Sequence, residues 1–371
     1  MGGAGGARRR RLNPSVFALP VDRLREGYYS DAYFNYTKGV LEHDDLHPTV
    51  IMQVFQKHPG AVLGGMDEAL AMLRLCAGRF QEGPDGRRWE SGWDSLRVEA
   101  LYDGDEVKAW ETVLTIQGDY ALFAHLETVY LGVLSRRTLV STNVRRVVQA
   151  AHGKSILFFP ARFDHYRVQT GDGYAAQIAG AIGVSTDAQA SWWGGKGIGT
   201  VPHGLIAACG GDTVQAARRF ADMYYPDVNV VALVDFDNDC VPTSLACARA
   251  LGERLWGVRL DTSETMVDRS LWDKMGRFRP NGVAPELVWA VREALDAEGF
   301  THVKIVVSGG FDAERIHAFE AAGVPADAYG IGSSLLRGNT DFTADVVVVD
   351  GRPCAKKGRE YRPNSRLAVV E

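Results

Sequence analysis

Short apolar runs, each followed by polar or glycine-rich residues and then by a helical spacing, organise the second half of the chain. They cover residues 156–159, 228–234, 255–260, 303–307 and 328–331. Runs of this kind have no polar face, so they read as strands covered on both sides, and alternation with helices requires parallel pairing. The first part is different. Residues 31–41 and 65–76 carry helical spacing, with Met66, Leu70 and Leu73 on one face, while 96–102 and 107–117 alternate as half-buried strands do. A long helical pattern over 127–151, carrying Leu131, Leu134, Leu139, Val147 and Val148, leads into the second part. The segment 345–359 holds an apolar run at 346–349, a turn at Asp350 and Gly351, and the pair Lys356 and Lys357. The expected organisation is a disordered tail over 1–13, an α+β domain over 14–131, an α/β domain over 132–340, and a C-terminal segment over 341–371 that returns to the first domain.

The polar residues decide between a barrel and an open sheet. Arg162 and Asp164, His203, Asp235 and Asp237, Arg259 and Asp261, Ser308 with Gly309 and Gly310, and Gly330 with Gly332 and Ser333 all fall at the C-terminal ends of successive runs. Chemistry recurring at one end of every strand is the signature of a barrel with its site at that rim. There are fewer than eight clean units, so the expected fold class is α/β: an incomplete, TIM-like (β/α) barrel with an N-terminal α+β domain completed by the C-terminal segment.

Composition narrows the partners. The chain has 371 residues, 46% of them apolar, and a formal net charge of −5, which gives no general attraction to nucleic acid or anionic membrane. No stretch approaches the roughly 18 apolar residues of a membrane span. The arginine-bearing start is not followed by an apolar segment, so it does not read as a signal. Cys76, Cys209, Cys240, Cys247 and Cys354 are scattered and unpaired in sequence, which points to a reducing, cytoplasmic setting and against a zinc knuckle. Small-molecule partners are the expectation.

Two glycine turns are the strongest local signal. In VVSGGFDAERI, Ser308, Gly309 and Gly310 lie between a buried run and a helix, and in AYGIGSSL, Gly330, Gly332, Ser333 and Ser334 repeat the arrangement one unit later. Amides freed at strand-to-helix turns bind phosphate, and the last strands of a barrel are a common place for it; tight turns that need glycine are the plainer account. GIGTVPHGLI places His203 between an expected strand, ending near Thr200, and an expected helix starting near Gly204. There its imidazole could move a proton or accept a phosphoryl group. Asp235 and Asp261 follow strands directly and suit a cationic sugar or magnesium, and Arg259 suits a carboxylate or phosphate. Asp237 and Asp239 read more simply as a solvated loop and helix cap.

In order and spacing, GTVPHGLI, VRLDTSE, SGGFDAERI and GVPADAYGIGSSL, with ILFFPARFDH and SDAYF before them, resemble the nicotinate phosphoribosyltransferases, the type II phosphoribosyltransferases, in their shorter archaeal-like branch. The resemblance spans residues 31–358. It implies a homodimer or higher oligomer with shared active sites, in which Tyr33 stacks on the base in the neighbouring subunit. It also implies Arg162 and Arg259 as ligands of the base carboxylate and phosphates, His203 as a phosphorylatable histidine, Asp235 and Asp261 near the ribose, and the glycine turns on the 5′-phosphate. The implied substrates are nicotinate and phosphoribosyl pyrophosphate, with Mg2+ and with ATP as co-substrate, and the product is nicotinate mononucleotide for NAD biosynthesis. Two positions depart from the family pattern: Pro160-Ala161 before Arg162, and Gly204 after His203. The cysteines of a C-terminal zinc site are missing, so no resident metal is expected. The remaining alternatives are quinolinate or nicotinamide as the base, a non-catalytic phosphate-ligand binder, and a barrel aldolase or isomerase. The last would want a strand-end lysine, for which Lys196 and Lys304 are badly placed.

Overall fold

The computed structural model describes residues 10–84 and 86–371. Two compact units result, one comprising Met1–Thr142 with Gly338–Glu371 and the other Asn143–Arg337, the division falling inside the helix Glu127–Ala150.

The first unit is built on an antiparallel sheet in the order Arg352–Pro353, Phe342–Val349, Thr49–Gln56, Thr112–Asp119, Arg97–Ala100, Ala368–Val369. The C-terminal segment therefore supplies three of its six strands, and Phe342–Val349 pairs along the length of Thr49–Gln56. Helix Met66–Cys76 supplies much of the apolar core: Met66, Ala69, Leu70 and Leu73 pack with Val54, Leu114, Ile116 and Tyr130. Truncating one such leucine costs about 2–5 kcal/mol by cavity formation. Its N-cap, Gly65, has no side chain, and Asp103 caps it instead, accepting from the amides of Met66 (2.7 Å) and Asp67 (3.2 Å). The expected tail falls largely outside the described residues, but Arg11 and Leu12 are held. Arg11 pairs with Asp67 at 2.9 Å and donates to the carbonyls of Ala100 and Leu101, and the Leu12 amide donates to Asp67. A guanidinium with that many acceptors is fixed, so these two residues are held in place.

The second unit is the incomplete barrel. Six parallel strands run in the order Val230–Leu233, Leu255–Leu260, Lys304–Val307, Ala328–Ile331, Ser155–Phe158, Gly183–Val184, and Leu157, Val231, Val306 and Ala328 form an apolar cluster against Phe159. One expected strand is absent. Residues 195–200 are coil, and helix His203–Ala208 begins at the histidine itself. The segment nevertheless spans the gap between the two edge strands, because the Ile198 amide donates to Val184 (2.8 Å) and the Val201 amide to Val231 (3.0 Å). Gly197, Gly199 and Pro202 deny it a ladder: glycine gives no side chain to pack and proline no donor. Among the described residues no helix is long and apolar enough to cross a membrane.

Candidate active site

The strand ends of the second unit surround a cavity of about 550 Å³, within the range of small-molecule sites. Its wall carries Arg162, His203, Arg259 and Asp261, together with both glycine turns. Each group arrives from a different element, so the chemistry depends on the parallel strands ending level with one another.

Arg259, near the end of Leu255–Leu260, is the best-held cation of the set. Its Nε donates to Ser308 Oγ at 2.8 Å, its Nη2 pairs with Asp261 Oδ2 at 3.2 Å, and its Nη1 reaches Thr200 Oγ1 at 3.4 Å. The Phe159 ring lies 5.4 Å from the guanidinium carbon. Ser308 in turn donates to Asp261 Oδ1 at 2.6 Å and is only 2% exposed. The hydroxyl expected on a phosphate is thus committed to an arginine and a carboxylate. Arg162, on the short turn Ala161–Phe163, is exposed and lies against Phe163 at 5.4 Å. Among the described residues its guanidinium makes no hydrogen bond, so all its donors remain for a ligand.

His203 leads helix His203–Ala208 behind Pro202. Its Nε2 lies 3.0 Å from Asp235 Oδ1, with the histidine side chain 45% exposed and the carboxylate 7%. Burial raises the Asp235 pKa, the neighbouring imidazole pulls it back, and Asp261 pushes it up again. This is an orienting pair: one ring nitrogen is engaged behind the cavity, which leaves Nδ1 for the ligand side.

The glycine turns require glycine for two different reasons. Gly309 and Gly310 sit at φ +85° and +70°, where a side chain is strained. Gly330 and Gly332 have rings pressed against them instead: an added Cβ would lie 2.8 Å from Phe159 and 2.8 Å from Phe163, respectively. Among the described residues the amides of Gly309, Gly310, Gly332 and Ser333 donate to no protein acceptor. Arg315 pins the first turn, donating to the carbonyls of Gly309 (2.8 Å) and Val283 (2.9 Å) beneath the Phe311 ring at 4.2 Å, and its burial lowers its pKa.

Tyr33 is not among these groups. It lies in the first unit on helix Ala32–His43, 58% exposed, with its hydroxyl 3.5 Å from Asp31. Asp237 is exposed, as a solvated loop residue is; Asp239 holds the N-cap position of helix Cys240–Leu251, but its side chain accepts from Ser270 at 3.1 Å and the Cys240 amide donates to Asp268 (3.1 Å) instead. Sequence reasoning missed Phe163, Thr200 and Arg337 on the cavity wall. Arg337 could have been found as the cation that ends the turn begun at Ser333.

Comparison with known proteins agrees with this geometry. Residues 31–138 match the model of the quinolinate phosphoribosyl transferase N-terminal domain. The crystal structure of a nicotinate-nucleotide pyrophosphorylase from Pyrococcus furiosus is 32% identical, with a TM-score of 0.77 over 94% of this chain and 84% of that one. A nicotinate phosphoribosyltransferase of Mycobacterium tuberculosis is 30% identical over 268 residues, 70% of this chain and 55% of the relative, so the chain spans about half the length of that curated protein. Human nicotinic acid phosphoribosyltransferase shares the fold, with a TM-score of 0.61 at 18% identity over 88% of this chain and 75% of that one. On the strength of the Pyrococcus likeness, which runs through both units, the chain belongs to the type II phosphoribosyltransferase family, to which its nicotinate-nucleotide pyrophosphorylase and nicotinate phosphoribosyltransferase relatives belong.

Proposed function

We propose that this protein transfers the phosphoribosyl group of phosphoribosyl pyrophosphate to nicotinate, giving nicotinate mononucleotide and pyrophosphate for NAD biosynthesis. The observation that carries the reading is one cavity that joins a forked arginine, Arg259, to two glycine turns with uncommitted amides. An anionic aromatic base and a sugar phosphate need that pair of features side by side. Gly309, Gly310, Gly330, Gly332 and Ser333, with Arg337, take the 5′-phosphate; Arg259 and Arg162 take the base carboxylate and the pyrophosphate.

The bond from ribose C1 to the pyrophosphate oxygen breaks as the pyridine nitrogen bonds to C1, and positive charge gathers on the sugar. Asp261, on the wall, stabilises that charge, and the arginines stabilise the leaving anion; fixed charges of this kind require no reorganisation at the moment of reaction. Asp235 acts through His203, which accepts the γ-phosphoryl group of ATP as ADP leaves and then yields it to water as phosphate, a cycle that drives transfer forward without being required for it. Magnesium would fit as an ion carried on the substrate's pyrophosphate, with Asp261 the carboxylate on the wall beside it; magnesium commonly uses one or two carboxylates plus substrate phosphates. When bound it supplies neutralisation of the pyrophosphate. The proposed assembly is a homodimer in which Tyr33 closes the partner's base pocket.

Quinolinate is the second reading. The N-terminal match and the three arginines on the wall, Arg162, Arg259 and Arg337, give a second carboxylate somewhere to go. Mass analysis of the product from nicotinate, phosphoribosyl pyrophosphate and magnesium tests the first reading. No nicotinate mononucleotide from nicotinate, with nicotinate mononucleotide formed and carbon dioxide released when quinolinate is supplied, replaces it with the second.

A further inference from the structure

We propose that Ser308 is a positioning residue for the pyridine carboxylate, acting through Arg259, and not a ligand of the sugar phosphate. The inference rests on the reading of the cavity as a pyridine carboxylate site and adds the device that fixes its selectivity. A guanidinium has five N–H donors and two edges that can grip a carboxylate as a fork: the edge formed by Nε and Nη2, and the end formed by the two Nη groups. Here the first edge is closed. Nε donates to Ser308 Oγ (2.8 Å), Nη2 faces Asp261 Oδ2 (3.2 Å), and Ser308 ties the two together by donating to Asp261 Oδ1 (2.6 Å). The result is a closed ring of arginine, serine and aspartate in which the serine hydroxyl both accepts and donates.

With that edge occupied, only the end of Arg259 remains for a ligand, and its direction is set by the ring. Phe159 flanks the guanidinium (5.4 Å) and Thr200 touches Nη1 (3.4 Å), which restrains rotation about the remaining axis. An arginine loose in a cavity grips phosphate and carboxylate alike. One held by a single edge presents a fixed fork to a planar carboxylate and has little to offer a carboxamide, whose NH2 cannot accept a hydrogen bond. Ser308 itself is 2% exposed with its one proton committed to Asp261, so it has no donor left for the sugar phosphate.

The test is steady-state kinetics of Ser308→Ala on the full-length protein, with KM read separately for nicotinate and for phosphoribosyl pyrophosphate. Removing one hydrogen bond to a charged group predicts a rise in the nicotinate KM of about ten- to hundredfold. The phosphoribosyl pyrophosphate KM should stay unchanged, and discrimination against nicotinamide should fall by the same factor. Thr200→Val, which removes only the weaker restraint on Nη1, should move the nicotinate KM in the same direction by less, and it keeps the proposal testable if Ser308→Ala does not fold. A rise in the phosphoribosyl pyrophosphate KM with the nicotinate KM unmoved would make Ser308 a phosphate ligand and overturn the proposal. No change in either KM would reduce it to packing and also overturn it. Turnover by the wild type reports on the proposed function first: if quinolinate is the substrate, the same KM split is read on quinolinate, and if no pyridine carboxylate is used, both the function and this role fall.

Discussion

Replacing Asp235 by asparagine keeps the volume beside His203 and removes one charge. Two unit charges 3.0 Å apart at an effective dielectric of about 20 attract by about 5.5 kcal/mol. The imidazole is 45% exposed, so solvent screening and side-chain freedom reduce the net effect to about 1–3 kcal/mol. That range corresponds to about 5- to 150-fold in the population of any state that depends on a positively charged ring. Phosphorylation at Nδ1, with Nε2 facing Asp235, is such a state, because the proton retained on Nε2 leaves the ring with cationic character. Asp235→Asn should therefore lower acid-labile labelling by γ-labelled ATP, and ATP hydrolysis with it, by about 5- to 150-fold, while slow turnover without ATP continues. Phosphorus NMR of the wild type should place the label on Nδ1, and His203→Ala should abolish both labelling and ATP stimulation. Full labelling in Asp235→Asn, a label on Nε2, or undiminished ATP stimulation in His203→Ala would refute the reasoning and leave His203 as a residue that only positions substrate.

Gly310→Val forces a β-branched residue into φ +70°, and Gly332→Val sets a methyl-bearing carbon 2.8 Å from Phe163. Each should raise the phosphoribosyl pyrophosphate KM with the nicotinate KM little changed, and a folded variant with normal KM would make that turn purely structural. A Tyr33→Ala subunit mixed with a His203→Ala subunit should regain ATP-stimulated turnover through one intact site per heterodimer, and an exchanged mixture that shows no ATP stimulation removes the shared-site assembly. His125 is 1% exposed, and burial, with Lys38 adding repulsion, lowers its pKa from 6.5 to about 3. The folded state thus resists a proton that the unfolded chain accepts, so stability is intact above pH 6.5 and falls as pH drops toward 3. At pH 5 the loss from this group is about 2 kcal/mol. The stability difference between His125→Leu and wild type, from urea melts at pH 7 and pH 5, should shift toward the variant by that amount; a pH-independent difference would show that His125 does not titrate this way.

Much of the barrel was legible because both-face burial leaves an unmistakable apolar run. Leu255, Val258 and Leu260 are buried in Leu255–Leu260, as are Ile305, Val306 and Val307 in Lys304–Val307, and the polar residue after each run, Asp261 or Ser308, is at the rim. The segment before His203 was misread for the opposite reason. Ile198 between Gly197 and Gly199 has the spacing of a strand, yet the amides of Ile198 and Val201 donate to two different strands, and single-residue spacing cannot distinguish a bridge from a ladder. The hairpin of Gly78–Gly83 with Gly86–Ser91 carries only Phe80 and Trp89 as large apolar side chains and so left no apolar run. The sequence placed Ser308 correctly at the rim but could not show where its hydroxyl points. That depends on Arg259 and Asp261, nearly fifty residues earlier on the adjacent strand, whose side chains the fold alone brings to it.

The central claim is that this cavity joins one pyridine monocarboxylate to phosphoribosyl pyrophosphate. Pyrophosphate release measured with nicotinate, nicotinamide and quinolinate in parallel, each with phosphoribosyl pyrophosphate and magnesium and each with and without ATP, tests it most directly. The account predicts turnover with nicotinate, a kcat/KM for nicotinamide lower by about 30-fold or more from the unpaired arginine charge, and stimulation by ATP. Equal turnover of nicotinamide, or release with none of the three bases, would contradict it.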